Sequence, residues 1–356
     1  MSYMMTNMTA SNQIVAFYRE MNGTLTYVGT FPTFGTGTGT REVSAATAND
    51  GIDPLASQDS LALSPDGRYL FAVNAGSNSI SSFKIGNNGV PILVDVRPSG
   101  GVQPNSMSVL GNLLYVSHVG NAANDFASNL TGFLINNNGR LYPIPGATHS
   151  LSTVNAQPSQ VLFNLDGSKL VVSELSTNHL SVFQVNHDGS LMGPIINTAS
   201  GTLPFGSLFL SSGVLLVTEA GTSALSSYAL SPDGSLNAIS GSVPNGQMTS
   251  CWVAAARNEQ FAYTSNTLSG TIAIYRIASN GEVNFIRNVP STPAGTPTGL
   301  PIDIRTSKDG RFCYVLNGNQ GTISVFQIED DGSLGHLQVA AWTKLPYFGS
   351  QGLAVL

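Results

Sequence analysis

The sequence predicts an all-β, seven-bladed β-propeller of four-stranded antiparallel blades, and three observations carry that expectation. Seven times an aromatic residue stands six positions before a glycine that follows Asn or Asp: Phe17, Phe83, Phe133, Phe183, Tyr228, Tyr275 and Phe326 before Gly23, Gly89, Gly139, Gly189, Gly234, Gly281 and Gly332. Asn-Gly and Asp-Gly supply the positive φ angles of tight hairpin turns, so each copy reads as two antiparallel strands joined at a turn. Beyond the first interval, which holds the long connection, the turns recur roughly every 45 to 50 residues, the span of one four-stranded blade. Six units are contiguous while the seventh needs both chain ends, and pairing the N- and C-terminal strands closes the ring and removes its open edges.

In the first contiguous unit, Ser60 to Ser64 is a short inner strand, Pro65-Asp66-Gly67 turns, and Arg68 to Asn74 alternates into a second strand. After the loop Ala75 to Ser79 come a third strand, Ile80 to Ile85, the Asn88-Gly89 turn and an outer strand, Pro91 to Val96. The same order restarts at Gln103, Gln157, Leu203, Thr249 and Gly299. The closing blade takes its inner strand from residues 345–356 and its other three from residues 2–31. A closed ring of repeats is one cooperative unit, so residues 1–356 are expected to form a single domain. Residues 32–57 remain as a long connection that leads toward the mouth of the central channel.

Only 10% of residues are charged, and Ser, Thr, Asn and Gly carry the polar surface. That bias resembles exported proteins, so an extracellular or periplasmic location is expected over a cytoplasmic one, although the first residues lack a secretory signal's basic start and apolar core. A net charge of −6 with no basic run argues against nucleic acid. Apolar runs are too short for a membrane-spanning helix. The expected partner is a small-molecule substrate or a glycan, and the chain is expected to be a monomer. Cys251 and Cys313 lie in adjacent blades on different strands and read as two buried thiols.

The repeat provides internal controls. The second strand ends nine positions before the recurrent aromatic in Asn74, Glu174, Glu219, Asn266 and Asn317. The same place is His118 in the blade from Gln103, where the following loop is about six residues longer, and Asn7 in the closing blade, so that His118, Glu174 and Glu219 depart from Asn in three consecutive blades. Loops after second strands and loops before inner strands open on one face, around the channel mouth. His, Glu and Glu where the repeat has Asn would gather titratable groups there, suited to proton transfer, to a hydroxylated ligand or to a cation. The alternative is that all are strand-end residues capping backbone. Further candidates start the inner strands: Phe205 and Trp252, which suit ring stacking or the core, and Asp303, for which Arg305 is the simplest partner. The run Phe34 to Thr40 is rich in glycine but is followed by neither a helical pattern nor Gly-Lys-Ser/Thr, so it is not read as a phosphate cradle. Five scattered histidines give no transition-metal pattern. No cofactor is expected, with a hard cation such as calcium on Glu174, Glu219 and backbone carbonyls left open.

The stretches Leu61 to Ile85 (LALSPDGRYLFAVNAGSNSISSFKI), Gln157 to Val185 and Asp303 to Ile328 resemble the seven-bladed lactonase family, which includes 6-phosphogluconolactonase-like and carboxymuconate-cyclase-like propellers. The likeness covers nearly the whole chain and rests mostly on blade architecture. It implies a His and an Arg at inner-strand starts and a Glu at a second-strand end. Here those starts are Pro158-Ser159 and Phe205-Gly206, and Glu219 (VTEA) and Glu174 (VSEL) replace the Asn of that motif. The family set is not reproduced: either His118 and the two glutamates form a different apparatus, or the activity is changed or lost. The leading expectation is a lactonase-like or cycloisomerase-like enzyme acting on a small hydroxylated or carboxylated substrate, with Glu219 or Glu174 as base and His118 as acid or orienter. Asn74, Asn266 and Asn317 would bind substrate hydroxyls. The rival is an exported, non-catalytic propeller that binds a glycan, a cation or a protein partner, and a narrower third reading is a carbohydrate-active lyase.

Overall fold

The computed structural model describes residues 1–45, 50–341 and 344–356 and arranges them as seven four-stranded antiparallel sheets around a central channel. The strands of the closing blade at the N-terminus are β1 (Ser2–Met5), β2 (Gln13–Arg19) and β3 (Leu25–Pro32). Blade 1 holds β4 (Leu61–Leu63), β5 (Tyr69–Asn74), β6 (Ser79–Ile85) and β7 (Pro91–Pro98); blade 2 holds β8 (Pro104–Leu110), β9 (Leu113–His118), β10 (Asn129–Ile135) and β11 (Leu141–Ser150). Blade 3 is β12 (Pro158–Phe163), β13 (Lys169–Glu174), β14 (His179–Val185) and β15 (Leu191–Thr198), and blade 4 is β16 (Pro204–Phe209), β17 (Val214–Glu219), β18 (Ala224–Leu230) and β19 (Leu236–Pro244). Blade 5 comprises β20 (Ser250–Ala255), β21 (Phe261–Asn266), β22 (Thr271–Ile277) and β23 (Val283–Pro290). Blade 6 comprises β24 (Pro301–Thr306), β25 (Phe312–Asn317), β26 (Thr322–Ile328) and β27 (Leu334–Ala341), after which β28 (Gln351–Val355) returns to the closing blade.

The ring closes where β28 pairs antiparallel with β1, Tyr3 opposite Ala354 and Met4 opposite Leu353. The last inner strand is shorter than residues 345–356 because Leu345 to Ser350 fold into a loop on the upper rim, where inner strands begin. In every blade the pairing of third and outer strands slips beside the recurrent aromatic. Such bulges sharpen local twist. All seven aromatics are at most 2% exposed and fill the layers between blades. Cys251 and Cys313 are free, buried thiols.

Neighbouring blades are clasped at the lower rim. Tyr3, Tyr115, Tyr263 and Tyr314, all on second strands, donate hydrogen bonds to the carbonyls of Gly89, Gly189, Gly332 and Gly23 in the hairpin turns of the following blades, at 2.7, 2.5, 3.1 and 3.1 Å. These turn glycines have positive φ, and a Cβ on Gly23 or Gly332 would enter the ring of Phe312 or Phe261 on the preceding blade. The turn glycine therefore serves both the hairpin and the joint between blades.

The channel is filled from above by the end of the long connection, which hydrogen-bonds to all six inner strands other than β4, into which it runs. Ser57 Oγ donates to the Asn105 carbonyl at 2.7 Å, and Gln58 N to the Ser159 carbonyl at 3.1 Å. The Gln58 amide donates to the Ser207 carbonyl at 3.2 Å and accepts from Val253 N at 3.1 Å, while the Trp252 indole donates to the Ser57 carbonyl at 3.0 Å. Asp53 accepts from the Gln351 amide at 3.0 Å. Lower in the channel, Asp59 takes Arg305 at 2.6 Å on one oxygen and the Gln160 amide at 2.6 Å on the other. Arg305 also stands 3.6 Å from Asp303, the partnership expected from their alternation along β24. Burial pushes Asp303 up to about 7, with Arg305 opposing and Asp59 adding to the rise.

Two outcomes follow from these contacts. Gly332→Ala and Gly213→Ala both force a left-handed alanine, at about 1–2 kcal/mol, but only Gly332 meets a neighbouring ring, which adds about 1–3 kcal/mol. Gly332→Ala should therefore show the lower urea midpoint. Between the usual carboxylate value and about 7, folded Asp303 keeps a proton that the unfolded chain releases, so its contribution to stability falls with rising pH, by up to about 1.4 kcal/mol per unit, and levels off above 7. The stability of the wild type relative to Asp303→Asn should shrink from pH 4 to pH 7 in thermal unfolding; a constant difference would show that Asp303 does not titrate there.

Candidate active site at the channel mouth

The residues that end the second strands are fully buried, and Asn74, Glu174, Glu219 and Asn266 each hold the loop that arrives from the preceding blade. Asn74 Oδ1 accepts from Thr33 Oγ1 at 2.7 Å and from Asn12 Nδ2 at 3.0 Å, while its Nδ2 donates to Ser81 Oγ at 2.8 Å. Asn266 takes Asn245 Nδ2 at 2.9 Å, and Asn317 donates to Thr322 Oγ1 and Ser324 Oγ at 3.1 and 3.0 Å. In the closing blade Asn7 donates to Thr38 Oγ1 and accepts from Thr38 N, at 3.1 and 3.0 Å. Room is made by glycines: a Cβ on Gly35, Gly37, Gly101, Gly201 or Gly299 would strike Asn74, Asn7, His118, Glu219 or Asn317. The glycine-rich run from Phe34 is part of this fastening.

Glu174 and Glu219 occupy the same place and carry more bonds. Glu219 accepts from Gly201 N at 2.9 Å, Ser226 Oγ at 2.5 Å, Thr222 Oγ1 at 2.8 Å and Ser242 Oγ at 2.6 Å. Glu174 accepts from Ser152 N at 3.2 Å, Ser181 Oγ at 2.6 Å, Thr177 Oγ1 at 2.9 Å and the Ser152 hydroxyl. Four donors occupy the acceptor capacity of a carboxylate. His118 is fully buried, and among the described residues neither ring nitrogen makes a well-formed hydrogen bond. Burial pulls it down to about 4, against the raising influence of Asn129 and the Ser99 backbone, so it is neutral at pH 7. The three groups share no partner, and none of them lines the cavity at the mouth.

That cavity, of about 310 Å³, lies over blades 3 to 5 beneath the long connection. Leu203 and Thr249 stand in its wall with left-handed φ of 53° and 63°, a conformation that turns their carbonyls to accept from Ala220 N and Thr267 N at 2.9 Å each. Phe205 and Cys251 start the inner strands, with Phe205 edge-on to the fully buried Trp252, ring centroids 4.8 Å apart. Leu175 and Leu268 come from the loops after second strands, and Asp50, Ile52 and Asp53 from the connection. Asp303 lies outside it, with Asp59 and Arg305 lower in the channel.

Asp53 is the chemically distinctive group of the cavity. Its Oδ1 accepts from the Gln351 amide at 3.0 Å and from Ala56 N at 3.1 Å, and Oδ2 makes no hydrogen bond among the described residues. Burial pushes its carboxyl well above the usual range, and the Glu42 carboxylate pushes the same way. A carboxyl in a cavity lining whose pKa is raised by burial, with one oxygen hydrogen-bonded, holds a proton more readily than an exposed aspartate and, when protonated, can donate it or polarise a carbonyl. Repeat comparison does not find Asp53, because it belongs to the one segment without a counterpart in other blades. The available signal was two carboxylates set among Ile52, Pro54 and Leu55 in a chain with few charges. Among the described residues no group of three or more His, Cys, Asp or Glu side chains is placed to hold a metal ion.

Comparison with known proteins agrees with this architecture. Curated 6-phosphogluconolactonases of Yersinia enterocolitica and Pectobacterium atrosepticum are each 24% identical to this chain, the first over 77% of it and 82% of the relative, the second over 75% and 79%. The periplasmic gluconolactonase of Pseudomonas aeruginosa superposes with a TM-score of 0.71 at 18% identity, over 96% of both chains, which shows the shared fold. The family described as Lactonase, 7-bladed beta-propeller matches residues 2–121 and 211–346, and the chain belongs to that family.

Proposed function

We propose that this lactonase-like protein opens a lactone ring in the cavity beneath the long connection, with Asp53 as the general acid. The observation that carries the reading is a carboxyl in the lining of the cavity whose Oδ1 is held by Gln351 and Ala56 while Oδ2 is without a hydrogen bond among the described residues, and whose pKa burial raises. The curated relatives are named for the hydrolysis of a lactone, and this reading keeps that reaction type. Water adds to the lactone carbonyl and the ring C–O bond breaks. The proton of Asp53 passes to the departing ring oxygen, and the proton of the attacking water passes to Asp50, which is exposed at the rim, so exchange with solvent resets both carboxyls. Glu174, Glu219 and His118 then act on the loops that shape the cavity instead of on substrate, and the asparagines of the strand ends share that task.

The test is proton release from a panel of lactones in weak buffer with a pH indicator. Asp53→Asn should lower kcat by about 100-fold or more while keeping the fold. Glu219→Gln should lower thermal stability, since a carboxamide cannot accept four hydrogen bonds as a carboxylate does, yet leave kcat of the folded protein near wild type. The opposite pattern, with Glu219→Gln inactive and Asp53→Asn active, would return the acid-base role to the second-strand glutamates.

A further inference from the structure

We infer that the ligand of this cavity is an uncharged lactone bearing an apolar substituent, not a phosphorylated sugar lactone. The inference rests on the reading of the cavity as a lactone site and specifies its substrate class. Among the described lining residues there is no Lys, Arg or His, and the titratable groups are Asp50, Asp53 and the thiol of Cys251. A phosphate dianion placed there would lose its hydration against carboxyl groups, without the guanidinium or ammonium that phosphate sites use. Two cations of the channel and the long connection are committed elsewhere. Arg305 is bound below the plug to Asp59 and Asp303, and Arg41, on the same connection, faces the side-chain amide of Gln103 at the start of blade 2.

The apolar lining says what does fit. Ile52, Leu175, Leu203 and Phe205 form the wall, and Leu268, 46% exposed, carries the apolar surface to the rim. Met248, 58% exposed, continues it, with its backbone N–H bonded to Ser269 Oγ at 2.8 Å beside Leu268. The polar groups of the lining are few: Asp53, which would meet the lactone oxygens, Asp50 at the rim, and Thr249 and Thr267, the hydroxyl of Thr267 being bonded to the Pro301 carbonyl at 2.9 Å. A ring placed against Asp53 would pack its substituent on this apolar lining, to which Leu203 and Leu268 belong.

The experiment compares δ-decalactone, glucono-δ-lactone and 6-phosphoglucono-δ-lactone by background-corrected proton release, with δ-decalactone binding followed by calorimetry. The wild type should favour δ-decalactone over the phosphorylated lactone by at least about tenfold in kcat/KM, the discrimination that burying two methylenes supplies. Leu268→Arg, at a half-exposed position where folding tolerates the change, should weaken δ-decalactone binding and narrow that preference. Preference for the phosphorylated lactone would overturn the inference while leaving lactone hydrolysis in place. Saturable δ-decalactone binding, weakened by Leu268→Arg but without turnover of any lactone, would uphold the inferred ligand class and remove the hydrolytic reading. Neither binding nor turnover of δ-decalactone would overturn the inference.

Discussion

Seven inner strands around an axis enclose a channel lined by backbone and side-chain polar groups, and the segment from Asp53 to Asp59 is what satisfies them. Its bonds to Asn105, Ser159, Ser207, Val253, Arg305 and Gln351 reach six inner strands in seven residues, so the ring and its plug are one hydrogen-bonded object. A buried polar group left without a partner costs about 1–3 kcal/mol, which makes a different path for this segment costly at several places together. The plug also decides where a small molecule can enter. Beside it, over blades 3 to 5, lies the cavity of about 310 Å³ that Asp50, Ile52 and Asp53 help to line.

The same rule explains the strand-end residues. A buried polar side chain is stabilised by donors and acceptors nearby, and at Asn74, Glu174, Glu219 and Asn266 these include groups of the loop arriving from the previous blade. Asn meets that demand as both donor and acceptor, as at Asn74. Glu meets it only where hydroxyls and amides supply protons, and blades 3 and 4 offer Ser152, Thr177 and Ser181, or Thr222, Ser226 and Ser242. The change from Asn to Glu therefore goes with a change in the partners around it, all local to one blade and its incoming loop.

The fold was legible because its determinants are local and repeated. An aromatic, a turn glycine and two alternating strands recur at one spacing, and the structure adds only that the glycine also receives the preceding blade. The partnership of Arg305 with Asp303 was legible for the same reason, since alternation along a strand sets which side chains share a face. The tyrosine clasps at the lower rim join residues as far apart in sequence as Tyr314 and Gly23, and no spacing within a blade announces them. At the inner-strand starts, Trp252, Asn105 and Gln351 bind the chain's own plug, a contact set by the path of a connection that carries no periodicity.

A ring of equivalent blades presents each repeat position seven times about its axis, whereas a small asymmetric ligand needs a site without that symmetry. Some element outside the repeat must break the equivalence, and in this chain it is the long connection. Asp50, Ile52 and Asp53 have no counterparts in the other blades, while Phe205, Thr249 and Cys251, across the cavity from them, stand at repeat positions that elsewhere face the plug or a neighbouring strand. Comparing equivalent positions is suited to finding what the blades share, namely strand ends, turns and clasps. The candidate chemistry is assembled where the shared pattern meets the one stretch that departs from it, and that stretch, not the strand-end ring, sets the charge and shape that a ligand encounters.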